Sequence, residues 1–508
     1  METFSLQAKN YQMNDGFRYV EDHLYCEEIS VCDLLNSKVS ENNITSPVYV
    51  YSKRQMETNI NEYKTAIKKT GRVIQLNYSV KANMNPAILK IMKDHGLSLT
   101  LVSGLELQLA LELGFEPNTI VLNGNGKLDW EVDLACRSGV LVNVDSMFNL
   151  RQTIRVCQMR GYVAQVLLRI NPDINPGVHS YVSTGHHTSK FGIPSEELYD
   201  VLEMASASEN IRVIGLHCHI GSTIRDAEKF RHSTQTLVDL YRELRDRFPA
   251  MNILNLGGGL GIPYKEQIAV PEEIKQRINY ECDQCREPEK VKLYQDLLNH
   301  RITLRSFFNM LHSYPDGEKL AMKLRQHLPT EVLVSSPEDL VNIVSNILPS
   351  DTTAILEPGR SLVGNSAIFL SRVLGTKFTK TKNYIVLDGS MTEVIRPCLY
   401  GAYHHIDLAE PNHVNASFQS PFLWDVVGPV CESSDFLGKD RQFVTPNEGC
   451  CMAVFDTGAY CSSMSSNYNM RVRPAELLVD GNKVNVIRKC ETLENLMHCY
   501  GDWNTETS

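Results

Sequence analysis

The chain has 508 residues, 43% of them apolar, enough to bury a large core in two domains or in one large domain with an appendage. A formal net charge of −10 shows no basic excess, which argues against a nucleic-acid or anionic-membrane surface and leaves small molecules or another subunit as partners. No apolar run reaches the length of a membrane span, Met1–Leu6 lack a basic-then-apolar leader pattern, and fourteen cysteines in such a chain read as reduced thiols, so the expected location is cytoplasmic.

Residues 1–45 are too short to fold alone and are expected to pack with a β domain further on. From about residue 46 to 370, apolar β-branched runs alternate with longer helical patterns, the signature of a parallel α/β domain. Eight strands are predicted to end near Lys81, Ser103, Asn123, Asp145, Asn171, His219, Gly257 and Glu357, a spacing that fits a (β/α)8 TIM-type barrel. Each ends on polar or glycine chemistry, and that is the face on which barrel enzymes place catalysis. Residues 266–332 form an insertion before the helix beginning near Ser336. It carries Cys282 and Cys285 as a single Cys-x-x-Cys and a helical pattern through Leu293, Leu297, Leu304, Phe308 and Leu311. With no second cysteine pair at ligand spacing, no metal centre is expected, and the insertion reads as a packed helical excursion, one that could touch a partner subunit. Residues 371–508 shift to short strands and turns, as at Thr381–Asn383 and Val479–Asn482, and predict a C-terminal antiparallel β domain that also takes in the N-terminal segment.

Four constellations carry chemistry. Lys81, in Leu76-Asn77-Tyr78-Ser79-Val80-Lys81, closes an apolar β-prone run, the way a barrel presents a Schiff-base lysine; a surface lysine after an ordinary strand is the alternative. In Gly215-Leu216-His217-Cys218-His219-Ile220-Gly221-Ser222 the two histidines share a strand face, so they can ligate a metal or stack on a flat ligand. No third ligand is apparent; stacking suits His219, a hydrogen-bonded core role suits His217, and Ser222 can reach a phosphate. Gly257, Gly258 and Gly259 follow a buried strand and expose backbone N–H groups to an anion, although a tight turn also explains them. Finally, Glu357-Pro358-Gly359-Arg360 puts a carboxylate and a guanidinium at the close of the last strand, where Glu357 can hold a protonated ring nitrogen and a plain Glu–Arg pair is the alternative.

Taken together, the motifs resemble the fold-type III pyridoxal-phosphate-dependent decarboxylases, and within them the diaminopimelate decarboxylases, over most of the chain. The likeness runs through Ser79–Asn83, Asn123–Lys127, Val142–Ser146, Arg169–Asp173, Lys190–Ile193, Ile395–Tyr400, Val427–Ser433, Thr457–Tyr460 and Met464–Asn469. It implies pyridoxal 5'-phosphate as cofactor, a Schiff base on Lys81, His219 stacked on the ring and Glu357 at its nitrogen. Ser222, Gly257 to Gly259 and Tyr460 would surround the phosphate. It further implies a homodimer with shared active sites, in which Cys431, supplied by the neighbouring subunit, donates the proton that replaces CO2. A diamino acid with an amino-acid-like distal end needs both a cation and an anion: Arg360, Arg396 and Tyr400 would hold its carboxylate and Glu432 its ammonium, with Tyr460 also at the substrate and Arg360 able instead to touch cofactor phosphate. Leu105 and Thr392-Glu393 depart from the family pattern at the pocket rim and remove no catalytic group. The expected reaction is decarboxylation of meso-2,6-diaminopimelate to L-lysine and CO2, the last step of lysine biosynthesis. The alternatives are a related amino-acid or polyamine-precursor decarboxylase, or a catalytically silent paralogue that binds other decarboxylase subunits; retention of Lys81, Glu357 and Cys431 speaks against silence.

Overall fold

A computed structural model describes residues 11–35, 45–172, 190–264, 272–298, 307, 310–311, 314–325, 334–411 and 422–501. The chain divides into two compact units, residues 1–57 with 264–267 and 364–508, and residues 58–263 with 268–363. Asp173, the last residue of one family-like motif, lies outside the described residues, as do Leu304 and Phe308 of the insertion.

The first unit opens with a meander of β1 (Tyr11–Gln12), β2 (Phe17–Val20), β3 (His23–Cys26) and β4 (Ile29–Ser30), followed by β5 (Val48–Ser52). The chain then builds the second unit, a closed parallel barrel. Its strands are β6 (Ile74–Ser79), β7 (Ser98–Leu101), β8 (Val121–Leu122), β9 (Leu141–Val144), β10 (Ala164–Arg169), β11 (Ile211–His217), β12 (Ile253–Asn255) and β13 (Thr353–Leu356). Pairing of Ile355 on β13 with Gln75 on β6 closes the ring. Val121, Leu141, Leu167, Ile214 and Ile355 form one cluster although their strands are not all neighbours, so they fill the barrel interior. These are the eight strands expected from the sequence.

Local sequence explains why several strands hand over to helices at the same rim. Asn85 caps helix Pro86–Asp94 by accepting from the Ala87 N–H at 3.0 Å, with proline at the first turn. Ser103, Ser146 and Ser336 cap Gly104–Glu112, Met147–Arg160 and Pro337–Ser345 in the same way. Gly139 and Gly161, at φ 77° and 73°, stop two of the helices on the opposite rim. Within the insertion, helices Glu272–Gln284, Pro288–Leu298 and Gly317–Arg325 share a core that includes Ile278, Leu293, Tyr294, Leu297, Phe307 and Leu311. Leu293, Leu297 and Leu311 of the expected helical pattern are therefore core residues.

The first unit resumes with β14 (Ala367–Phe378), β15 (Asn383–Leu387), β16 (Ile406–Leu408), β17 (Phe422–Val427), β18 (Phe436–Phe443), β19 (Cys451–Val454), β20 (Ala475–Asp480) and β21 (Lys483–Arg488). The sheet runs β18-β17-β15-β14-β5-β20-β21, with β19 bridging β14 and β16. Both expected turns precede strands, at β15 and β21. Strand β5 is central here: Val50 pairs with Ile368 on β14 and with Leu477 on β20. The sequence pattern had placed this strand at the start of the barrel segment; a fully buried five-residue run carries no periodicity that says which sheet it joins. Phe17, Leu24 and Val31 share a core with Val48, Ile368 and Cys451, so the N-terminal meander packs within this unit. Among the described residues no helix is long and apolar enough to cross a membrane.

Candidate active site

At the barrel rim, β6 runs into a single turn, Val80–Ala82, that sets Lys81 exposed at the strand's carboxyl end. The Ser79 hydroxyl donates to the Glu357 carbonyl at 2.9 Å, tying this end of β6 to the end of β13.

Glu357 is 5% exposed, and its carboxylate is the hub of the barrel mouth. It accepts from Asn255 Nδ2 at 2.7 Å and Thr100 Oγ1 at 2.9 Å, with Asn123 Nδ2 at 3.4 Å and His217 Nε2 at 3.6 Å. Burial pushes its pKa above the ordinary carboxylate value, with those hydrogen bonds and the charges of Lys81 and Arg169 pulling the other way. A buried carboxylate in that condition gains from a cation.

Strand β11 ends at His217 and leaves His219 beyond it, so the shared strand face expected of the two histidines does not form and their surroundings differ. His217 is 1% exposed, its Nδ1 lies 2.7 Å from Asn143 Nδ2, and burial together with Arg169 holds its pKa well below the histidine range. Asn143 in turn donates to Asn123. His219 is partly accessible, and the protein around it, with Lys81 and Arg169, holds its ring well below the usual range too. The Gly258 N–H donates to its Nδ1 at 3.2 Å, which places the ring proton on Nε2 and keeps the imidazole neutral and flat.

Behind these groups, Lys127 is 5% exposed and donates to the Gly124 and Asn143 carbonyls at 2.6 and 2.7 Å and to Asn149 Oδ1 at 2.9 Å. Burial pushes its pKa down to about 8, with Asp145 opposing. Arg169 lies 4.8 Å over the Phe191 ring. Sequence reasoning assigned no role to Thr100, Asn143, Arg169 or Asn255. The available signal was a polar residue in the last turns of each buried strand.

Gly257 and Gly259 have φ of 65° and 120°, and a Cβ at Gly258 would strike the Glu357 carbonyl. A side chain is therefore excluded here, while the Gly257 N–H is held by Asn255 Oδ1 at 2.9 Å and the Gly258 N–H by His219 Nδ1. Nearby, Arg360 Nη2 donates to Ser222 Oγ at 3.2 Å.

The first unit holds the remaining sequence-predicted residues. Arg396 begins helix Arg396–Tyr400 and is 3% exposed. Among the described residues no carboxylate pairs with it, and its Nε has no hydrogen-bond partner. Its Nη1 lies 2.7 Å from His404 Nε2, and the Tyr264 ring centroid is 5.4 Å from its guanidinium carbon. Cys431 and Glu432 are exposed on a loop held by Asp435, whose carboxylate accepts from the Val430 and Met391 N–H groups at 2.8 and 2.7 Å. Cys431 itself is pinned by its N–H to Asn469 Oδ1 at 2.9 Å. Tyr460 has φ of 59°. Of the departures, Thr392 and Glu393 are buried in a turn in which Glu393 Oε2 accepts from Ser390 N at 2.8 Å, and Leu105 is exposed. Cys32, Glu410 and Cys451 bring ligand-type atoms within 4.8 Å of one another. Cys451's thiol and burial push the Cys32 thiol upward, and Glu410 already accepts the Cys451 N–H at 2.8 Å, so the group packs as core.

Residues 53–295 match the family model for the pyridoxal-dependent decarboxylase, pyridoxal binding domain. A probable chloroplastic diaminopimelate decarboxylase of Oryza sativa is 39% identical over 94% of this chain and 84% of that protein. Diaminopimelate decarboxylase of Aquifex aeolicus is 32% identical over 96% and 97%. The chain belongs to the diaminopimelate decarboxylase family. Among solved structures, that of the M. jannaschii family member in co-complex with L-lysine is 28% identical, with a TM-score of 0.76, covering 95% of this chain and 97% of that one. Membership makes this chain a pyridoxal-phosphate-dependent carboxy-lyase, and the barrel mouth fits the cofactor: an amine, a neutral flat imidazole, a buried carboxylate in want of a cation, and a glycine cradle that any side chain would fill.

Proposed function

We propose that the chain decarboxylates meso-2,6-diaminopimelate at its D centre, yielding L-lysine and CO2 as the last step of lysine biosynthesis. The observation that carries the substrate is Arg396, a buried guanidinium with no carboxylate partner among the described residues, set to receive one from a ligand. Pyridoxal phosphate, held through Lys81 Nζ, supplies the electron sink for C–C cleavage. Glu357 keeps a proton at the ring nitrogen, His219 packs against the ring face, and Ser222, the backbone of Gly257 to Gly259 and Tyr460 bind the phosphate. The bond from Arg360 to Ser222 supports its phosphate-side role rather than a place on the substrate. Arg396 and Tyr400 bind the distal carboxylate and Glu432 the distal ammonium. As CO2 leaves, the Cys431 thiol delivers a proton to the same carbon. Exposure of Cys431 and Glu432 on a fixed loop supports their serving the site of another copy in a homodimer. All fourteen cysteines are free thiols, which supports a reducing, cytoplasmic setting.

The test is CO2 release from purified enzyme and cofactor with diaminopimelate, L-lysine and L-ornithine offered separately. Release from diaminopimelate alone is expected. Faster release from ornithine would hand the chain to the polyamine-precursor decarboxylases, and silence with all three would revive a non-catalytic paralogue.

A further inference from the structure

An arginine side chain is long and flexible, and a buried guanidinium that meets a ligand's carboxylate must present one edge and keep it presented. Arg396 has a partner suited to that task. His404 is fully buried, and its two ring nitrogens face different groups: Nδ1 lies 2.8 Å from the Phe455 carbonyl and Nε2 lies 2.7 Å from Arg396 Nη1. A carbonyl only accepts and a guanidinium only donates, so the ring must carry its proton on Nδ1 and offer the Nε2 lone pair to Arg396. The Phe455 carbonyl therefore sets the tautomer, and the tautomer sets the arginine. Tyr264 closes the cradle, its ring 5.4 Å from the Arg396 guanidinium carbon and edge-on to His404 at 5.7 Å and 77°. With Nη1 engaged by His404 and Tyr264 also hydrogen-bonded to the guanidinium, Nε, which has no hydrogen-bond partner among the described residues, is left for an incoming anion.

We infer that His404 is a positioning residue for substrate choice: by holding Nη1 it fixes the edge of Arg396 offered to the distal carboxylate, and so sets the preference for a carboxylate-bearing diamino acid over a plain diamine. This rests on the proposed role of Arg396. A histidine that only joined the segment before β16 to the end of β19 would stabilise the fold and leave ligand preference alone.

The two readings separate by calorimetric titration of the holoenzyme with L-lysine and with 1,5-diaminopentane, which share the same chain and differ by one carboxylate. The quantity read is the ratio of the two affinities. His404→Asn keeps a donor toward Phe455 and loses the acceptor toward Arg396, and should lower the ratio about tenfold or more, the worth of one hydrogen bond to a charged group. His404→Gln puts an acceptor back near the Nε2 position and should hold the ratio within about threefold of the native enzyme. His404→Met, similar in volume and without a comparable acceptor, serves in place of the Asn variant should that one fail to fold. An unchanged ratio in the Asn or Met variant, with the ratio collapsed in Arg396→Met, overturns the inference while leaving the carboxylate role of Arg396 standing. An unchanged ratio in Arg396→Met overturns that role and the inference with it.

Discussion

Glu357 shows how a single residue's environment can be turned into a measurement. Its folded-state pKa is raised, chiefly by burial, so the folded cofactor-free protein keeps a proton at pH values where the unfolded chain has lost it. Stability attached to this group is thus present at low pH and declines as pH rises from the ordinary carboxylate value of about 4.3 through the raised one. Glu357→Gln removes the ionisation and keeps the shape. Without cofactor, the variant should melt close to the native protein at about pH 5 and progressively above it toward about pH 8. A difference in melting temperature that stays flat with pH would count against the buried, uncompensated carboxylate. Glu357 itself was legible in the sequence, because a carboxylate at the end of a barrel strand is rare enough to notice. Its donors were not: Thr100, Asn123 and Asn255 are single polar residues in or just after short apolar runs, and only closure of the ring shows that they converge on one point. Arg396 stood out through the family resemblance, whereas His404, eight residues on, carried no signal until its ring nitrogens had partners.

Among the elements, the glycine loop after β12 is closely confined. A Cβ on Gly258 would collide with the backbone carbonyl of Glu357, and backbone at a strand end has little room to yield. Moving it would also disturb the N–H that fixes the His219 tautomer. Gly258→Ala should cost about 1–3 kcal/mol of stability and weaken cofactor binding by about tenfold or more, read by absorbance titration. Gly126→Ala is the control, since nothing lies within 4 Å of the added methyl. Equal behaviour of the two variants would show that the loop is only a turn. The eight barrel strands were legible because each is a short apolar run, and at β6, β7 and β9 a capped helix follows, two signals that agree. The boundary at β5 was not, since sheet membership depends on hydrogen-bond partners far away in sequence, at Ile368 and Leu477. The insertion gave its helical period and kept its purpose hidden: its core of Ile278, Tyr294 and Phe307 explains how it folds, not what it touches.

Across the whole molecule, the placement of Cys431 decides whether one copy of the chain is a complete enzyme. The thiol is exposed, yet its loop is not loose: Asp435 accepts two backbone N–H groups, and Asn469 holds the Cys431 N–H. Fixing an exposed thiol makes chemical sense when it must meet a reacting carbon in another copy, as the family resemblance implies. Complementation tests this directly. Lys81→Ala lacks the amine proposed to hold the cofactor and Cys431→Ala lacks the proposed proton donor, so each alone should be inactive toward diaminopimelate. If Cys431 acts across a twofold dimer, a heterodimer of the two variants holds one site with both residues native and one with neither. Random exchange of equal amounts makes half of the dimers mixed, and the mixture should regain about a quarter of native activity. If Cys431 serves its own chain, every site in every dimer lacks one residue, and mixing recovers nothing. Recovery must appear only after subunit exchange and must track the heterodimer fraction, which native mass spectrometry of two differently sized variants reports. Recovery without heterodimer would trace to contamination, and heterodimer without recovery would place the proton donor in the same chain as Lys81.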